Sequence, residues 1–63
     1  MYTKQDFNRA AIGMKVARDN ANTWFNAFRK SRDMNDWHNG IRWANQAFYW
    51  ADELKKIGSE LCH

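Results

Sequence analysis

The chain contains no proline, only three glycines and a single cysteine among its 63 residues. Proline breaks a helix interior and glycine costs it about 1 kcal/mol, so most of the sequence lacks a strong helix breaker. The lone cysteine, Cys62, excludes a disulfide within the chain. These absences favour an all-α fold without covalent crosslinks.

Long hydrophobic runs are also missing. The longest run of large apolar residues and alanine is Ala47-Phe48-Tyr49-Trp50-Ala51, far below the ~20 residues needed to span a bilayer. The first residues, Met1 to Phe7, lack the apolar region of a secretory signal peptide. We therefore predict a cytoplasmic protein that does not bind a membrane.

A chain of 63 residues forms at most one domain, residues 1–63. At this length folding buries only about 60% of the surface that the unfolded chain exposes. So thin a core usually needs very regular helix packing or a partner subunit to be stable.

Apolar residues in the N-terminal half recur at alternating spacings of three and four, which places them on one face of a helix. They are Phe7, Ala10, Met14, Ala17, Ala21, Trp24 and Phe28. Thr3 and Asp6 have the spacing of a capping box, which predicts a helix start at Lys4. The apolar pattern is lost after Phe28, so the predicted helix covers residues 4–31.

A second helix is predicted over residues 34–61, with Asp33 or Asn35 as its cap. Its apolar residues form two adjoining lines, each with helical spacing. One line contains Trp37, Ile41, Ala44, Phe48 and Ala51, and the other contains Trp43, Ala47, Trp50, Leu54, Ile57 and Leu61. Because only a few residues separate the two helices, we expect an antiparallel hairpin.

One alternative divides the first helix. Residues 19–23 are poor in helix formers and rich in capping types, which would allow a break there and a three-helix domain. The apolar phase nevertheless runs from Met14 through Ala21 to Phe28 without a slip, which favours one continuous helix.

Helix two is apolar over roughly 200° of its circumference, whereas one neighbouring helix covers only about 100°. We expect the residues left partly exposed to form an interface with a partner or a second copy: Trp43, Trp50, Leu54, Ile57 and Leu61. A homodimer packed as a four-helix bundle is the expected solution. In it, the alanines of helix one, at positions 10, 11, 17 and 21, leave room for the indoles of helix two across the interface.

Tryptophan supplies four residues, and large aromatics are the quickest route to an adequate interior in a small protein. We predict that Trp24, Trp37 and Trp50 belong to the core. Trp43 lies nearer the edge of the apolar stripe and is predicted to anchor an interface, since tryptophan is enriched among residues that dominate binding energy.

The polar face of helix two carries Tyr49 together with Arg42 and Lys56. We expect this face to be exposed, because charged residues surround the tyrosine on the helix surface. An exposed tyrosine beside an arginine is typical of a protein-contact patch.

Charge is divided unevenly along the chain. Residues 1–32 contain seven cations and two acids, whereas residues 33–63 contain three cations and five acids. A basic arm attracts nucleic acid through counterion release, and Arg29, Lys30 and Arg32 at the turn are the candidate contacts. A nucleic-acid-associated regulator is therefore the alternative function, although no recognition motif accompanies these cations.

No catalytic motif is present: the sequence lacks CxxC, HExxH and a glycine-rich phosphate loop. His38, Cys62 and His63 invite a metal or nucleophile interpretation, but they lie at opposite ends of helix two and cannot converge within one chain. We expect no enzyme activity, cofactor, metal or small-molecule substrate. A zinc site shared between two chains of an antiparallel dimer is the one alternative.

The function indicated is that of a small non-enzymatic interaction module that self-associates and binds a partner protein, as an inhibitor or regulator. In size, aromatic content and lack of chemistry, the chain resembles the small accessory proteins of phages and mobile elements, which block larger machines stoichiometrically. That resemblance implies a host cytoplasm as its location.

Overall fold

The computed structural model describes residues 1–62 and consists of two helices, α1 (Lys4–Ser31) and α2 (Met34–Leu61). Each helix has 28 residues, and the two pack side by side in a rod of 47 × 13 × 13 Å. His63 lies outside the described residues. The all-helical hairpin and both predicted helix ranges are therefore confirmed.

The capping box fixes the start of α1. The hydroxyl of Thr3 accepts a hydrogen bond from the backbone N–H of Asp6 at 3.2 Å, and the Asp6 carboxylate accepts one from the Thr3 N–H at 2.9 Å. These reciprocal bonds satisfy two donors that a helix start leaves free.

α1 continues through residues 19–23 without interruption, so the three-helix alternative is wrong. The Thr23 hydroxyl donates a hydrogen bond to the carbonyl of Asp19 at 3.0 Å, four residues earlier in the same helix. Its side chain is thus satisfied inside the helix, where it does not serve as the cap of a new one.

The turn between the helices consists of Arg32 and Asp33. Arg32 adopts the left-handed conformation with φ of 57°, and its N–H donates to the carbonyl of Phe28 at 2.8 Å. Asp33 caps α2 by accepting a hydrogen bond from the N–H of Asn35 at 2.9 Å, while its own N–H donates to the Ser31 hydroxyl. This short, hydrogen-bonded turn makes the helices antiparallel neighbours.

Two glycines mark where the helices come closest. A Cβ added to Gly13 would lie 2.7 Å from the indole of Trp50, and one added to Gly40 would lie 2.5 Å from the ring of Phe25. Real carbon contacts are about 3.5–4.0 Å, so each ring occupies the space of the missing side chain. The two contacts set the register of the hairpin.

The core between the helices is built mainly from small residues. Ala10, Ala17 and Ala21 of α1 and Ile57 of α2 are its buried apolar side chains, and no large side chain within residues 1–62 is completely buried. The alanines therefore pack against α2 of the same chain. Ala10 and Ala17 are each only 2% exposed in the single hairpin. The expectation that these two make room for indoles across a dimer interface is therefore wrong.

The structure also corrects the predicted exposure of Ile57. It is only 3% exposed, so the prediction that it stays partly exposed in a single hairpin is wrong. The line of α2 that contains Ile57 turns toward α1, together with the buried Gly40 and the half-buried Trp43 and Trp50.

Candidate protein-interaction surface

The other apolar line of α2 is the one left uncovered. Phe48 is 72% exposed, and Trp37 and Ile41 are 38% and 37% exposed. The prediction of a core position for Trp37 is therefore wrong, although its ring packs beside those of Phe25 and Phe28 with centroids 5.2 and 5.4 Å apart. An apolar excess on α2 exists as expected, but it lies on the neighbouring line.

Phe48 stands beside an apolar groove of about 320 Å³ between the two helices. We call this surface the Phe48 face. Its lining is formed by Met14, Ala21 and Phe25 of α1 and by Ala44, Ala47, Phe48 and Ala51 of α2, with Arg18 and Asn22 also bordering it. Three alanines next to one protruding ring give the face both a projection and a depression.

Helical geometry explains why these residues share a face. On α2, Ala44 lies four residues before Phe48 and Ala51 lies three residues after it, so each is about one turn from the phenylalanine. On α1, Met14 lies seven residues before Ala21, about two turns, and Phe25 lies four residues after it, about one turn, so these three also share a face. The alanines on both helices keep the floor of the groove low, so that Phe48 projects above it.

The five predicted interface residues are distributed differently. Trp43, Trp50 and Leu54 are half-buried along the line that faces α1, and Ile57 is buried. Leu61 is exposed near the C-terminal end of α2. The structure thus places most of the predicted set between the helices of one chain.

The predicted polar patch is exposed, as expected for Arg42, Tyr49 and Lys56. Tyr49 packs beside Trp50 with ring centroids 5.1 Å apart, and Lys56 forms an ion pair at 3.8 Å with the half-buried Glu53. The three residues recur every seven positions, so they lie about 10 Å apart along α2 and form a line along it.

The predicted nucleic-acid contacts lie at the turn. Arg29, Lys30 and Arg32 are all exposed there. Arg29 borders an open depression that is also lined by Trp37 and Phe28. The three cations therefore share the turn end of the rod with aromatic side chains.

The hairpin exposes more surface than a compact protein of its mass. Its accessible area is 5083 Å², whereas about 4,250 Å² is typical for a folded monomer of 7.5 kDa. Its radius of gyration is 14.3 Å, compared with about 10.6 Å for a compact domain of 63 residues. About 800 Å² of surface is thus in excess of the compact value.

Among residues 1–62, no group of three or more histidine, cysteine or acidic side chains is placed to hold a metal ion. Cys62 is a free, exposed cysteine at the end of α2. Within the same residues, neither helix carries a stretch apolar enough to cross a bilayer.

The Phe48 face was not among the predicted sites. The available signal was the pattern of small residues around a single large one on α2, Ala44, Ala47 and Ala51 around Phe48. Neither family models, nor curated proteins, nor solved structures match this chain.

Proposed function

We propose that this chain is a non-enzymatic protein-interaction module that binds other protein chains through the Phe48 face. Its class is that of a stoichiometric regulator or inhibitor of the phage and mobile-element type, acting in the cytoplasm. The observation that carries the proposal is a phenylalanine that is 72% exposed beside an apolar groove.

The physical reason is the cost of leaving this surface in water. Covering one large apolar side chain is worth about 1.5–3 kcal/mol, and Phe48, Ile41 and Trp37 are exposed together along one line. Phe48 and the apolar groove that it lines form one patch, and contiguous exposed apolar surface usually marks an interaction site. Helix-on-helix packing is the natural way to cover it.

Affinity capture with the full chain tests the proposal. Phe48→Asp places a charge at the centre of the face, and we expect it to abolish capture of any protein that the wild type retains. Val16→Asp is the matched control, since Val16 is 49% exposed on α1 but lies about 200° around that helix from both Met14 and Arg18. Equal capture by all three proteins would refute the proposal.

Nucleic-acid binding is the second candidate, and the exposed cations Arg29, Lys30 and Arg32 at the turn favour it. Phosphate contacts weaken steeply with salt, whereas apolar contacts do not. If this function is real, an oligonucleotide should bind at low salt and be released as salt increases. Arg29→Gln with Lys30→Gln should then reduce binding, while Phe48→Asp should not.

A further inference from the structure

We infer that the occupant of the Phe48 face is a second copy of this chain, related by a two-fold axis that places each Phe48 ring in the groove of the other copy. The inference rests on the proposed function, because it names the protein chain that the face binds. The resulting dimer would be a four-helix bundle, as the sequence led us to expect, but its interface would be the Phe48 face and not the line of Trp43 and Trp50.

The face carries a projection and a matching depression at the same height of the rod. Phe48 is the projection, and Ala44, Ala47 and Ala51 lie within one helical turn of it along the groove. An apolar cavity of about 150 Å³ accepts a benzene molecule, so a groove of about 320 Å³ has room for a phenyl ring. A two-fold contact therefore forms the same ring-in-groove packing twice.

The exposed area also fits a second copy. The elongated shape gives the hairpin about 800 Å² more exposed area than a compact protein of its mass, spread over the whole rod, and a standard interface buries about 800 Å² on each partner. Two rods packed along their long sides would cover surface of that order on each chain. Phe48, which is exposed to water in the single hairpin, would then be buried between the two copies.

Charge does not oppose this packing. Among residues 1–62, Arg18 is the only charged residue that lines the groove, and its guanidinium lies 3.9 Å from the exposed carboxylate of Asp19. Long arginine side chains can lay their stem along apolar surface while the head group stays in water. The alanines and Phe48 can thus be covered without removing a charge from water.

Sedimentation equilibrium of the full chain over a range of concentrations is the first test. We expect the wild type to reach twice its mass of 7.5 kDa. Phe48→Asp should raise the dissociation constant of the dimer about a hundredfold or more, because two central aromatic contacts are lost. Val16→Asp should leave it unchanged, and circular dichroism should show all three proteins to be equally helical.

A mixing experiment tests the ring-in-groove geometry itself. Phe48→Ala removes the ring and keeps the groove, while Ala51→Gln fills the groove with a good helix former and keeps the ring. Each variant alone should dimerise poorly. In a mixed dimer, the Phe48 ring of the Ala51→Gln chain can enter the open groove of the Phe48→Ala chain, which restores one of the two contacts. Native mass spectrometry should therefore show the heterodimer in excess of both homodimers.

Three outcomes would overturn the inference. One is a wild type that stays a single chain at all concentrations. A second is a dimer that Phe48→Asp leaves intact, since association would then use another surface. The third is a mixture without preference for the heterodimer. The capture experiment separates these results from failure of the proposed function, because a different protein lost only by Phe48→Asp would still support that function.

Discussion

The two halves of the hairpin solve the same packing problem with opposite assignments of large and small residues. Near the turn, α1 supplies the aromatic ring and α2 supplies the glycine, as Phe25 packs over Gly40. Further from the turn the roles are exchanged, and Trp50 of α2 packs over Gly13 of α1. In both halves the helices come close only because one of them lacks a side chain at the contact.

This comparison shows how the short chain holds two long helices together without a fully buried large side chain. Rings laid on glycine backbone are covered on one side by the opposite helix, while alanines fill the space between them. Stability then depends on close fit at a few positions, since dense packing is lost quickly when side chains are forced apart.

Adding one carbon at either glycine should have the largest effect on stability. We expect Gly40→Ala to lower the free energy of unfolding by up to about 2 kcal/mol, because overpacking costs about 1–3 kcal/mol and the gain in helix propensity offsets only about 1 kcal/mol of it. Gly13→Ala should act in the same direction and more weakly, since its nearest ring atom is 2.7 Å away and that of Gly40 is 2.5 Å away. Urea denaturation at one protein concentration measures both.

Trimming the ring tests whether the steric explanation is correct. Phe25→Leu should soften the effect of Gly40→Ala, and Trp50→Leu that of Gly13→Ala, so that each double-mutant cycle shows a coupling energy. If either glycine variant proves more stable than the wild type, the ring at that position does not restrict the approach of the helices.

The third glycine provides a control with the opposite sign and a smaller effect. A Cβ added to Gly58 would lie 3.8 Å from the ring of Phe7, which is an ordinary contact distance. We expect Gly58→Ala to raise the free energy of unfolding by about 0.5–1 kcal/mol through helix propensity alone. The same denaturation series measures it, and a loss of stability would mean that the helices also approach closely at this end.

The smallest expected effect concerns pH at the start of α1. The backbone N–H of Thr3, followed by its hydroxyl, donates to the Asp6 carboxylate and holds the pKa of that group below its ordinary value. A lowered pKa in the folded state means that the carboxylate stabilises the protein above the unfolded pKa, and that this stability is lost as pH falls through the folded pKa. Asp6→Asn should therefore be less stable than the wild type near neutral pH.

The difference between Asp6→Asn and the wild type should shrink as pH falls below about 4. Thermal unfolding followed by circular dichroism over that range checks it. A difference that stays constant down to about pH 2 would show that the carboxylate contributes no pH-dependent stability.

The helices themselves could be predicted from the sequence because their signals are local. The Thr3 and Asp6 pair, the unbroken phase of α1 and the cap at Asp33 each act within a few residues, and both helix ranges are confirmed. The composition of residues 19–23 also allowed a break in α1 and a three-helix domain. The uninterrupted apolar pattern from Met14 to Phe28 correctly favoured one continuous helix.

The uncovered line of α2 could not be chosen from periodicity, because both apolar lines have the same spacing of three and four. Each line also contains two aromatic residues, so aromatic content does not show which line packs against α1. What decides the choice is the close approach at Gly40, which belongs to the line of Trp43 and Ile57. Because glycine has no apolar side chain, Gly40 does not contribute to the apolar pattern, and the pattern cannot identify the close contact there.

The two-residue turn described above has a consequence for the order of assembly. Phe25 and Gly40 are close along the chain, whereas Phe7 and Gly58 are separated by most of it, and the entropy lost on closing a loop increases with loop length. Pairs next to the turn can therefore meet first and shorten the loop that the following pair must close. Opening reverses that sequence, so amide exchange should be fastest in the helical turns around Phe7 and Gly58 and slowest in those around Phe25 and Gly40.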